Sequence, residues 1–396
     1  MPNLAELHRC TGCTACAAVC PRGCITMTAD ADGFRYPVVD ASVCVDCGLC
    51  EKICPALNPT APTHTPSAFA AWSRDDGSRM ASTSGGVFPE LARSVLAKGG
   101  AVYGAAYDEN FRVVHICAEN EADLERLRGA KYAQSDLNSL FPDVKRRLES
   151  GQQVLFSGTP CQVLGLKAYL RKDYVNLLSV DLVCHSVPSP LAWEKYLEHI
   201  SGEKTLAHVN LRCKDTGWSC YRYSNRFDFS DGTSRLDQSG DSLYMKLFGS
   251  GLITRPACAH CPAKGYARVS DLTLGDFWGV WDIAPELDDN KGTSIVLAQT
   301  EKGRTALAGL GQRPVSLEEA SRENPAILCP VAENPMRIQA IEHVRNGDFA
   351  KAVQLLPTPA ASSRRSGFLR RLLRFLKRKL RSIHMDLGDA PVNNGY

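Results

Sequence analysis

The sequence predicts an α+β protein with a small cysteine-rich unit, an α/β body and a basic amphipathic C-terminal helix. Three observations predict this class. Cysteines recur at a repeated spacing near the start, apolar runs alternate with helical patterns from Ala68 onward, and apolar residues recur at helical spacing among basic residues near the end. The expected divisions are the cysteine-rich unit, a linker, two parts of the body and a flexible tail, at residues 1–57, 58–67, 68–150, 151–356 and 357–396.

The cysteine-rich unit carries the spacing C-x2-C-x2-C-x3-C-P twice, as CTGCTACAAVCP from Cys10 and as CVDCGLCEKICP from Cys44. Bacterial ferredoxins with two [4Fe–4S] clusters use this spacing, and the fourth cysteine of each run binds the other cluster. A disulfide framework or a zinc ribbon is the alternative, although zinc sites use four ligands in two pairs. Cys24 is surplus, and a buried thiol is favoured over a ninth ligand. The two predicted ligand sets are Cys10, Cys13, Cys16 and Cys54, and Cys44, Cys47, Cys50 and Cys20.

Composition restricts the location and the partners of the protein. The 17 cysteines and the lack of a recognisable signal peptide predict metal sites in a reducing compartment, which favours the cytoplasm. No apolar run reaches the roughly 18 residues that a membrane-spanning helix needs. The formal net charge is +3, and removing the nine Lys and Arg of residues 364–381 leaves −6. An acidic body argues against nucleic-acid binding.

The body alternates predicted strands and helices. Several strands are continuous apolar runs, which implies an α/β sheet covered on both faces. Residues 206–229 resemble a hairpin of mixed polarity. Strands are predicted at 69–73, 100–107, 113–118, 154–158, 177–185 and 294–300, and helices at 86–98, 121–128, 243–248, 302–309, 317–321 and 338–346.

A run of small residues, Ser82 to Gly86, precedes the first body helix. Small residues allow close approach of a ligand to the backbone, and a helix start attracts phosphate. A Ser/Thr helix cap without a ligand explains the same run. Lys131 and Tyr132 add a cation and an aromatic ring, both useful around a dinucleotide, but no G-x-G-x-x-G fingerprint is present.

Four cysteines of the body are candidates for a further metal site. Cys161 lies where a strand turns into a helix, and a helix N-terminus favours a thiolate. Cys184 ends the next apolar strand, and neighbouring parallel strands place their carboxyl ends together. Cys258 and Cys261 form a C-x2-C pair. A third [4Fe–4S] cluster, a zinc site and isolated buried thiols all remain open on spacing alone.

The segment SDLTLGDFWG, residues 270–279, ends a short predicted strand with acids, glycines and aromatic rings. This combination suits the stacking and hydrogen-bonding edge of a flavin site. A tight turn with packed aromatic rings explains the segment almost as well.

The order of motifs TSGG, GAKY, GTPCQ, DLVCHS, RCKDTGW, RPACAHCP and SDLTLGDFWG resembles the family of coenzyme F420 hydrogenase and dehydrogenase beta subunits, over about residues 68–330. The resemblance implies FAD and a third [4Fe–4S] cluster in the body. It places the cluster on Cys161, Cys184, Cys258 and Cys261. It places the FAD on Ser84, Gly85, Gly86, Lys131 and Tyr132, with Asp276 and Trp278 near the flavin or its substrate.

This sequence departs from the family pattern at two places. Ser186 follows Cys184-His185 where the family usually has glycine, and Cys213 replaces a usual acidic residue between Arg212 and Lys214. The family also includes reductases of chlorophyll-type substrates and bacterial members associated with cell-surface polysaccharide synthesis. The resemblance therefore does not fix the substrate.

The sequence as a whole predicts an iron–sulfur flavoprotein oxidoreductase. Electrons would come from a redox partner protein or reduced ferredoxin and pass to an organic acceptor, either F420-like or an intermediate of a polysaccharide pathway. A non-catalytic electron-transfer subunit and a zinc-stabilised scaffold are the alternatives. His185 and Asp276 are candidates for acid–base roles, and no catalytic residue is assigned.

The basic helix at residues 363–384 alternates leucines with arginines and lysines. Such a helix suits an anionic membrane surface, where each basic residue contributes about 1 kcal/mol. Docking on an acidic partner or on the acidic body is the alternative. The expected location is therefore cytoplasmic, with peripheral attachment at the inner face of the cell membrane.

Overall fold

The structure is a computed structural model that describes residues 2–59 and 62–356. The described residues up to Gln354 form one compact unit, in which the cysteine-rich unit packs on the body. The predicted basic helix at 363–384 lies outside the described residues, so it stays a prediction.

The cysteine-rich unit repeats one small pattern twice. A short helix begins inside each cysteine run, and a residue in left-handed conformation precedes it, Thr14 with φ 62° and Gly48 with φ 69°. An antiparallel hairpin that pairs Ile25 with Val39 joins the two halves. The elements are α1 (Ala15–Val19), β1 (Ile25–Ala29), β2 (Arg35–Val39) and α2 (Leu49–Lys52).

In the described part of the body, eight strands form one mixed sheet. They are β3 (Ser67–Trp72), β4 (Ala101–Tyr107), β5 (Val113–Ala118), β6 (Val154–Gly158), β7 (Leu177–Leu182), β11 (Leu272–Asp276), β12 (Ser294–Ala298) and β13 (Gly311–Val315). Their order is β13-β3-β12-β11-β7-β6-β4-β5. The centre from β4 to β11 is parallel, and the outer pairs are antiparallel. Strands from both predicted parts of the body share this sheet.

Helices cover both faces of the sheet. Tyr103 of β4 points into a core with the helix at residues 140–149, whereas Val102 points into a core with the helices at 87–96 and 121–127. The helices are α3 (Asp76–Met80), α4 (Val87–Leu96), α5 (Glu121–Leu127), α6 (Leu140–Glu149), α7 (Pro160–Leu170), α8 (Pro190–Ser201), α9 (Leu243–Gly249), α10 (Val280–Ile283), α11 (Glu301–Ala306), α12 (Leu317–Ser321), α13 (Arg337–Arg345) and α14 (Phe349–Gln354). The predicted α/β body covered on both faces is confirmed.

A second, antiparallel sheet replaces the predicted hairpin at 206–229. Its strands are β8 (Leu206–Cys213), β9 (Ser224–Phe229) and β10 (Ser234–Gln238), in the order β10-β9-β8. The third strand is polar and mostly exposed, so its sequence carries little hydrophobic signal. Across residues 2–59 and 62–356, no helix combines the length and the apolar character needed to cross a bilayer.

Candidate functional site

The cysteines of the first predicted ligand set lie close to one another, on the side of the cysteine-rich unit that faces the body. Burial raises the pKa of the Cys13 thiol to about 12, with smaller contributions in the same direction from the neighbouring thiols of Cys10, Cys161 and Cys54. Burial also raises the pKa of Cys16, with smaller contributions from Cys13, Cys10 and Cys54. Thiols that influence one another's ionisation in this way are close neighbours. A positively charged centre among them would favour the thiolate forms, which fits an iron–sulfur cluster.

The second predicted set surrounds a cavity at the other end of the cysteine-rich unit. Cys20, Cys44, Cys47 and Cys50 line an open volume of about 340 Å³, and Cys47 is exposed to solvent. Cys24 is buried and lines the same cavity, with its Sγ 3.3 Å from the Sγ of Cys20. The expectation of a buried thiol near the cluster agrees with this position.

The four body cysteines lie around one cavity at the carboxyl ends of β6 and β7. The cavity has an open volume of about 450 Å³ and is lined by Cys161, Cys184, Cys258 and Cys261. The backbone N–H of Val187 donates to Cys258 Sγ at 3.3 Å. Convergence of the strand ends, as expected, brings the first two thiols to the C-x2-C pair.

Burial dominates the ionisation of these thiols. The pKa of Cys161 is raised to about 11 and that of Cys258 to about 12, in both cases mainly by desolvation. The position of Cys161 in the first turn of α7 predicts a stabilised thiolate, but in the protein alone desolvation outweighs this helix effect.

Within the described residues, no three His, Cys, Asp or Glu side chains are arranged to hold a single metal ion.

Cys13 of the cysteine-rich unit contacts the body helix that carries Cys161. A Cβ placed on Gly165 of α7 would lie 2.7 Å from Cys13 Cβ and 3.0 Å from Cys13 Sγ. Cys161 and Gly165 are four residues apart, so they share one face of α7. The first ligand set therefore lies directly against the helix that contributes to the body set.

The small-residue loop packs on the protein itself. Ser84 Oγ donates to the Thr293 carbonyl at 3.0 Å, and Gly85 N–H donates to Ser294 Oγ at 3.0 Å. A Cβ on Gly85 would lie 2.4 Å from the Ala71 carbonyl oxygen, so the absent side chain allows close packing against β3. The residue before α4 is Gly86, with φ 74°, so the Ser/Thr side-chain cap considered for this run is not formed. Thr83 Oγ1 is buried without a hydrogen-bond partner in the described structure.

Arg212 joins three residues that the sequence placed at a flavin. One of its terminal nitrogens donates to Asp276 Oδ2 at 2.7 Å and to Tyr132 Oη at 2.9 Å. Its guanidinium lies 4.3 to 5.1 Å from the ring centroids of Tyr223, Trp218 and Trp278. Arg212 is 7 % exposed, yet its Nε and its second terminal nitrogen have no hydrogen-bond partner among the described residues. We refer to Arg212, Asp276, Tyr132, Trp218, Tyr223 and Trp278 as the Arg212 cluster.

Lys214 connects the Arg212 cluster with the small-residue loop. Its Nζ donates to the carbonyl oxygens of Ser84, at 2.7 Å, and Arg79. Burial lowers the Lys214 pKa to about 7, and the charge of Arg79 contributes in the same direction. Sequence reasoning singled out neither Arg212 nor Lys214 as a site residue, although two basic residues flanking Cys213 at the end of a strand were a signal. Cys213 itself is buried beside Asp215.

Lys131 is not part of the Arg212 cluster. Its Nζ donates to the carbonyl oxygens of Arg128, at 2.6 Å, and Arg126, and it lies 5.8 Å from the ring of Tyr107. His185 lies between the body thiols and the cluster, since its ring is 5.2 Å from Phe248, which is 5.0 Å from Tyr132. His185 Nε2 is buried without a hydrogen-bond partner in the described structure, and desolvation lowers its pKa.

Two family models match the chain. Residues 151–322 match the model for the C terminus of the coenzyme F420 hydrogenase/dehydrogenase beta subunit, and residues 9–58 match a 4Fe-4S dicluster domain. The first match contains the four cysteines predicted to hold the body cluster, and the second contains all eight cysteines of the two ferredoxin-type runs.

Two curated proteins are similar to part of the chain. One F(420)H(2) dehydrogenase subunit, from Methanosarcina mazei, is 28% identical over 203 residues, 46% of this chain and 56% of that protein. Coenzyme F420-dependent sulfite reductase of Methanocaldococcus jannaschii is 27% identical over 206 residues, 51% of this chain and 32% of that protein. The match thus spans about half of the first relative and a third of the second.

A solved structure of the F420-reducing [NiFe] hydrogenase complex from Methanosarcina barkeri contains a chain with 16% sequence identity. The superposition has a TM-score of 0.46 and covers 66% of this chain and 88% of that chain.

Proposed function

We propose that this chain, which combines a 4Fe-4S dicluster domain with the C-terminal domain of the coenzyme F420 hydrogenase/dehydrogenase beta subunits, is an iron–sulfur flavoprotein oxidoreductase. Clusters carry single electrons and a flavin can take up two, so together they would connect a one-electron donor with a two-electron organic acceptor. The protein would position these groups and set their potentials.

The contact between Cys13 and Gly165 is the observation that supports this proposal most directly. It packs the first ferredoxin-type ligand set on α7, whose first turn carries Cys161. Electron transfer between centres requires that they lie close together, and this packing leaves no intervening layer of side chains at that point. Cys47, the exposed cysteine of the second set, suits the end where a redox partner or reduced ferredoxin would deliver electrons.

The Arg212 cluster is the proposed place for the flavin. Its unpaired buried N–H groups fit a ligand rich in acceptor atoms, because a buried donor without a partner is costly. Arg212 would hold such a ligand, and the aromatic rings around it would exclude water. The hydroxyl of Ser84 and the N–H of Gly85 are already engaged by the protein, so that loop would contribute shape more than hydrogen bonds.

Metal and flavin analysis of the full chain, prepared anaerobically, tests the proposal. Three [4Fe–4S] clusters and one flavin predict about twelve iron atoms and one FAD per chain. Reduction of a deazaflavin or another small organic acceptor by reduced ferredoxin would support an enzyme. About eight iron atoms without flavin would contradict the body assignment and leave clusters in the dicluster unit only.

A non-catalytic electron-transfer subunit is the second candidate. Its support is that one relative is a subunit of a dehydrogenase, together with the exposed Cys47. Turnover of an acceptor that occurs only after a partner protein is added would favour this candidate. The acceptor class, F420-like or a polysaccharide-pathway intermediate, is determined by comparing reduction rates with each.

We propose a cytoplasmic location with peripheral membrane attachment through residues 363–384. The support is the basic and apolar alternation of that segment. Co-sedimentation with anionic vesicles should decrease after deletion of residues 363–396, and unchanged binding would contradict the attachment.

A further inference from the structure

Arg255 lies between the cysteine-rich unit and the body, and its side chain is 1% exposed. Its Nε donates to the Cys10 carbonyl at 2.7 Å, and one terminal nitrogen lies 3.9 Å from Cys10 Sγ. That nitrogen also donates to the Arg35 carbonyl at 3.0 Å, and the other donates to Gln134 Oε1 at 2.6 Å. The guanidinium therefore contacts both the backbone carbonyl and the sulfur of Cys10.

The same side chain borders the body thiols. Arg255 lines the cavity that Cys161, Cys184, Cys258 and Cys261 surround. Its backbone N–H donates to the Val187 carbonyl at 2.9 Å, and the Val187 N–H in turn donates to Cys258 Sγ. One cation is thus placed within reach of both ligand sets.

Among the described residues, Arg255 donates no hydrogen bond to an acidic side chain. Two acceptors are carbonyls, one is an amide and one is a thiol sulfur. The ring of Tyr36 lies 4.1 Å from the guanidinium carbon and that of Phe34 lies 5.4 Å away. Burying a guanidinium is expensive unless a negative charge balances it, and aromatic faces provide only part of that balance. Cluster thiolates on both sides would provide the rest.

We propose that Arg255 is the shared counter-charge of the Cys10 ligand set and the body ligand set, and that it raises the reduction potential of both clusters. This inference rests on the proposed function. A nearby positive charge and a hydrogen bond to a ligand sulfur both stabilise the reduced, more negative cluster. Arg255 is a positioning residue, since it acts through the ligands.

The test compares the reduction potentials of the clusters between variants of the full, cluster-loaded chain. Arg255→Gln removes the charge and keeps a polar side chain, and Arg255→Lys keeps the charge. Arg337→Gln is the matched control, because Arg337 also contacts the cysteine-rich unit, through Asp32 and the ring of Phe34, without contacting Cys10. The clusters are titrated potentiometrically with electron paramagnetic resonance detection. Cys47→Ser identifies the signal of the second ligand set.

Two of the three cluster signals should move. In R255Q the ratio of reduced to oxidised cluster at a fixed potential should fall at least tenfold for the cluster of the Cys10 ligand set and for the body cluster, which is a negative shift of about 59 mV or more for one electron. The second-set signal should stay, and R255K and R337Q should keep potentials close to the unsubstituted chain. Unchanged potentials in R255Q, or an equal shift of all three signals, would overturn the inference.

Loss of iron is handled by the second variant. If R255Q does not retain its clusters, the iron content and the cluster potentials of R255K test the inference instead. Lowered potentials or lost iron in R255K would overturn the role of the charge. Failure of the proposed function appears separately, as an iron content of about eight atoms per chain in the unsubstituted protein. The signal of the first ligand set would then still report whether Arg255 acts on the Cys10 set.

Discussion

Gly165 leaves no room for a side chain between α7 and Cys13. An added Cβ would lie 2.7 Å from Cys13 Cβ, closer than packed atoms tolerate. We expect Gly165→Ala to lower the free energy of unfolding by about 1–3 kcal/mol, because overpacking forces backbone shifts. Urea unfolding followed by circular dichroism measures the change. Gly249→Ala in α9 is the control, since a Cβ at that position would have no atom of another described segment within 4 Å. Equal stability of both variants would contradict the tight contact.

His115 should make stability depend on pH. His115 is 2% exposed. Its Nε2 forms a hydrogen bond with the Ser157 carbonyl at 3.0 Å, and its Nδ1 forms one with the Ser135 hydroxyl at 2.8 Å. Burial lowers its pKa from 6.5 to about 4, so the folded protein holds it neutral. Below pH 6.5 the unfolded chain binds the proton more readily, and stability is lost as the pH falls toward 4.

The full effect of His115 is about 3 kcal/mol, of which most should develop between about pH 6.5 and pH 4.5. Urea unfolding of the unsubstituted chain and of His115→Gln is compared across that range, so that other titrating groups cancel. The substituted protein should lose less stability on acidification. Parallel pH dependences would show that His115 does not titrate differently in the two states.

At the scale of residues, the acidic and aromatic members of the Arg212 cluster were easier to predict from sequence than Arg212 itself. Asp276, Tyr132 and Trp278 stood out by local pattern, whereas Arg212 joins them from β8, 64 residues from Asp276 along the chain. No local periodicity predicts such a meeting, because the packing of a second sheet on the first creates it. Arg255 was overlooked similarly, since its partners Cys10 and Arg35 are more than 200 residues away.

At the scale of elements, the hairpin β1–β2 should depend on an ion pair with α13. Asp32 at its turn accepts from Arg337 at 2.9 Å and from Arg345 at 3.0 Å, and the side chains of Asp32 and Arg337 are 19% and 17% exposed. We expect Asp32→Asn to cost about 2 kcal/mol, because a charged hydrogen bond in a partly buried setting is lost. Chemical denaturation measures this cost.

Another hairpin supplies the control for Asp32. Asp231, at the turn between β9 and β10, pairs with Lys204 at 3.2 Å, and both side chains are 47% exposed. Exposed pairs contribute about 0–1 kcal/mol, so Asp231→Asn should have little effect. If Asp231→Asn lowers the stability as much as Asp32→Asn does, the β1–β2 hairpin does not depend specifically on the ion pair between Asp32 and α13.

The elements that sequence patterns predicted are those with apolar continuity. The predicted strands at 113–118 and 154–158 have the observed bounds, because buried runs bounded by polar turns are unambiguous. Strand β13 was not predicted. It contains Arg313 and Pro314 at a sheet edge, where exposure removes the alternation and proline is tolerated. Edge position is set by the rest of the sheet, so a single segment cannot reveal it.

At the scale of the whole molecule, the order of motifs carried more information than any motif. The resemblance to the coenzyme F420 hydrogenase/dehydrogenase beta subunits with an N-terminal dicluster unit is confirmed by the two family matches. FAD, the third cluster and their ligands stay proposals. The sequence could not predict that the cysteine-rich unit packs on the body through α7, because that contact depends on shape at Gly165 and Cys13.

The cysteine-rich unit has little core of its own. Its buried cluster consists of Cys24, Ile25 and Cys50, with mostly cysteines and small residues packed around them. Ala15 and Ile53 are buried in the core of the body instead. A unit of fewer than about 60 residues with so little apolar burial usually needs metal to stay folded. We therefore expect its folding to depend on the clusters and on contact with the body.

Removal of iron should unfold the cysteine-rich unit before the body. Anaerobic chelation of the clusters is followed by hydrogen–deuterium exchange with mass spectrometry. Protection should fall throughout residues 2–59, whereas β4, β6 and β7 should keep theirs, because their cores contain aliphatic and aromatic residues rather than ligand thiols. Cys47→Ser, which should weaken only the second ligand set, is expected to loosen β1 and β2 while Cys13 stays packed on Gly165. Equal loss of protection in both parts would show that they unfold as one cooperative unit, and unchanged protection in residues 2–59 would show that the fold of this unit does not depend on iron.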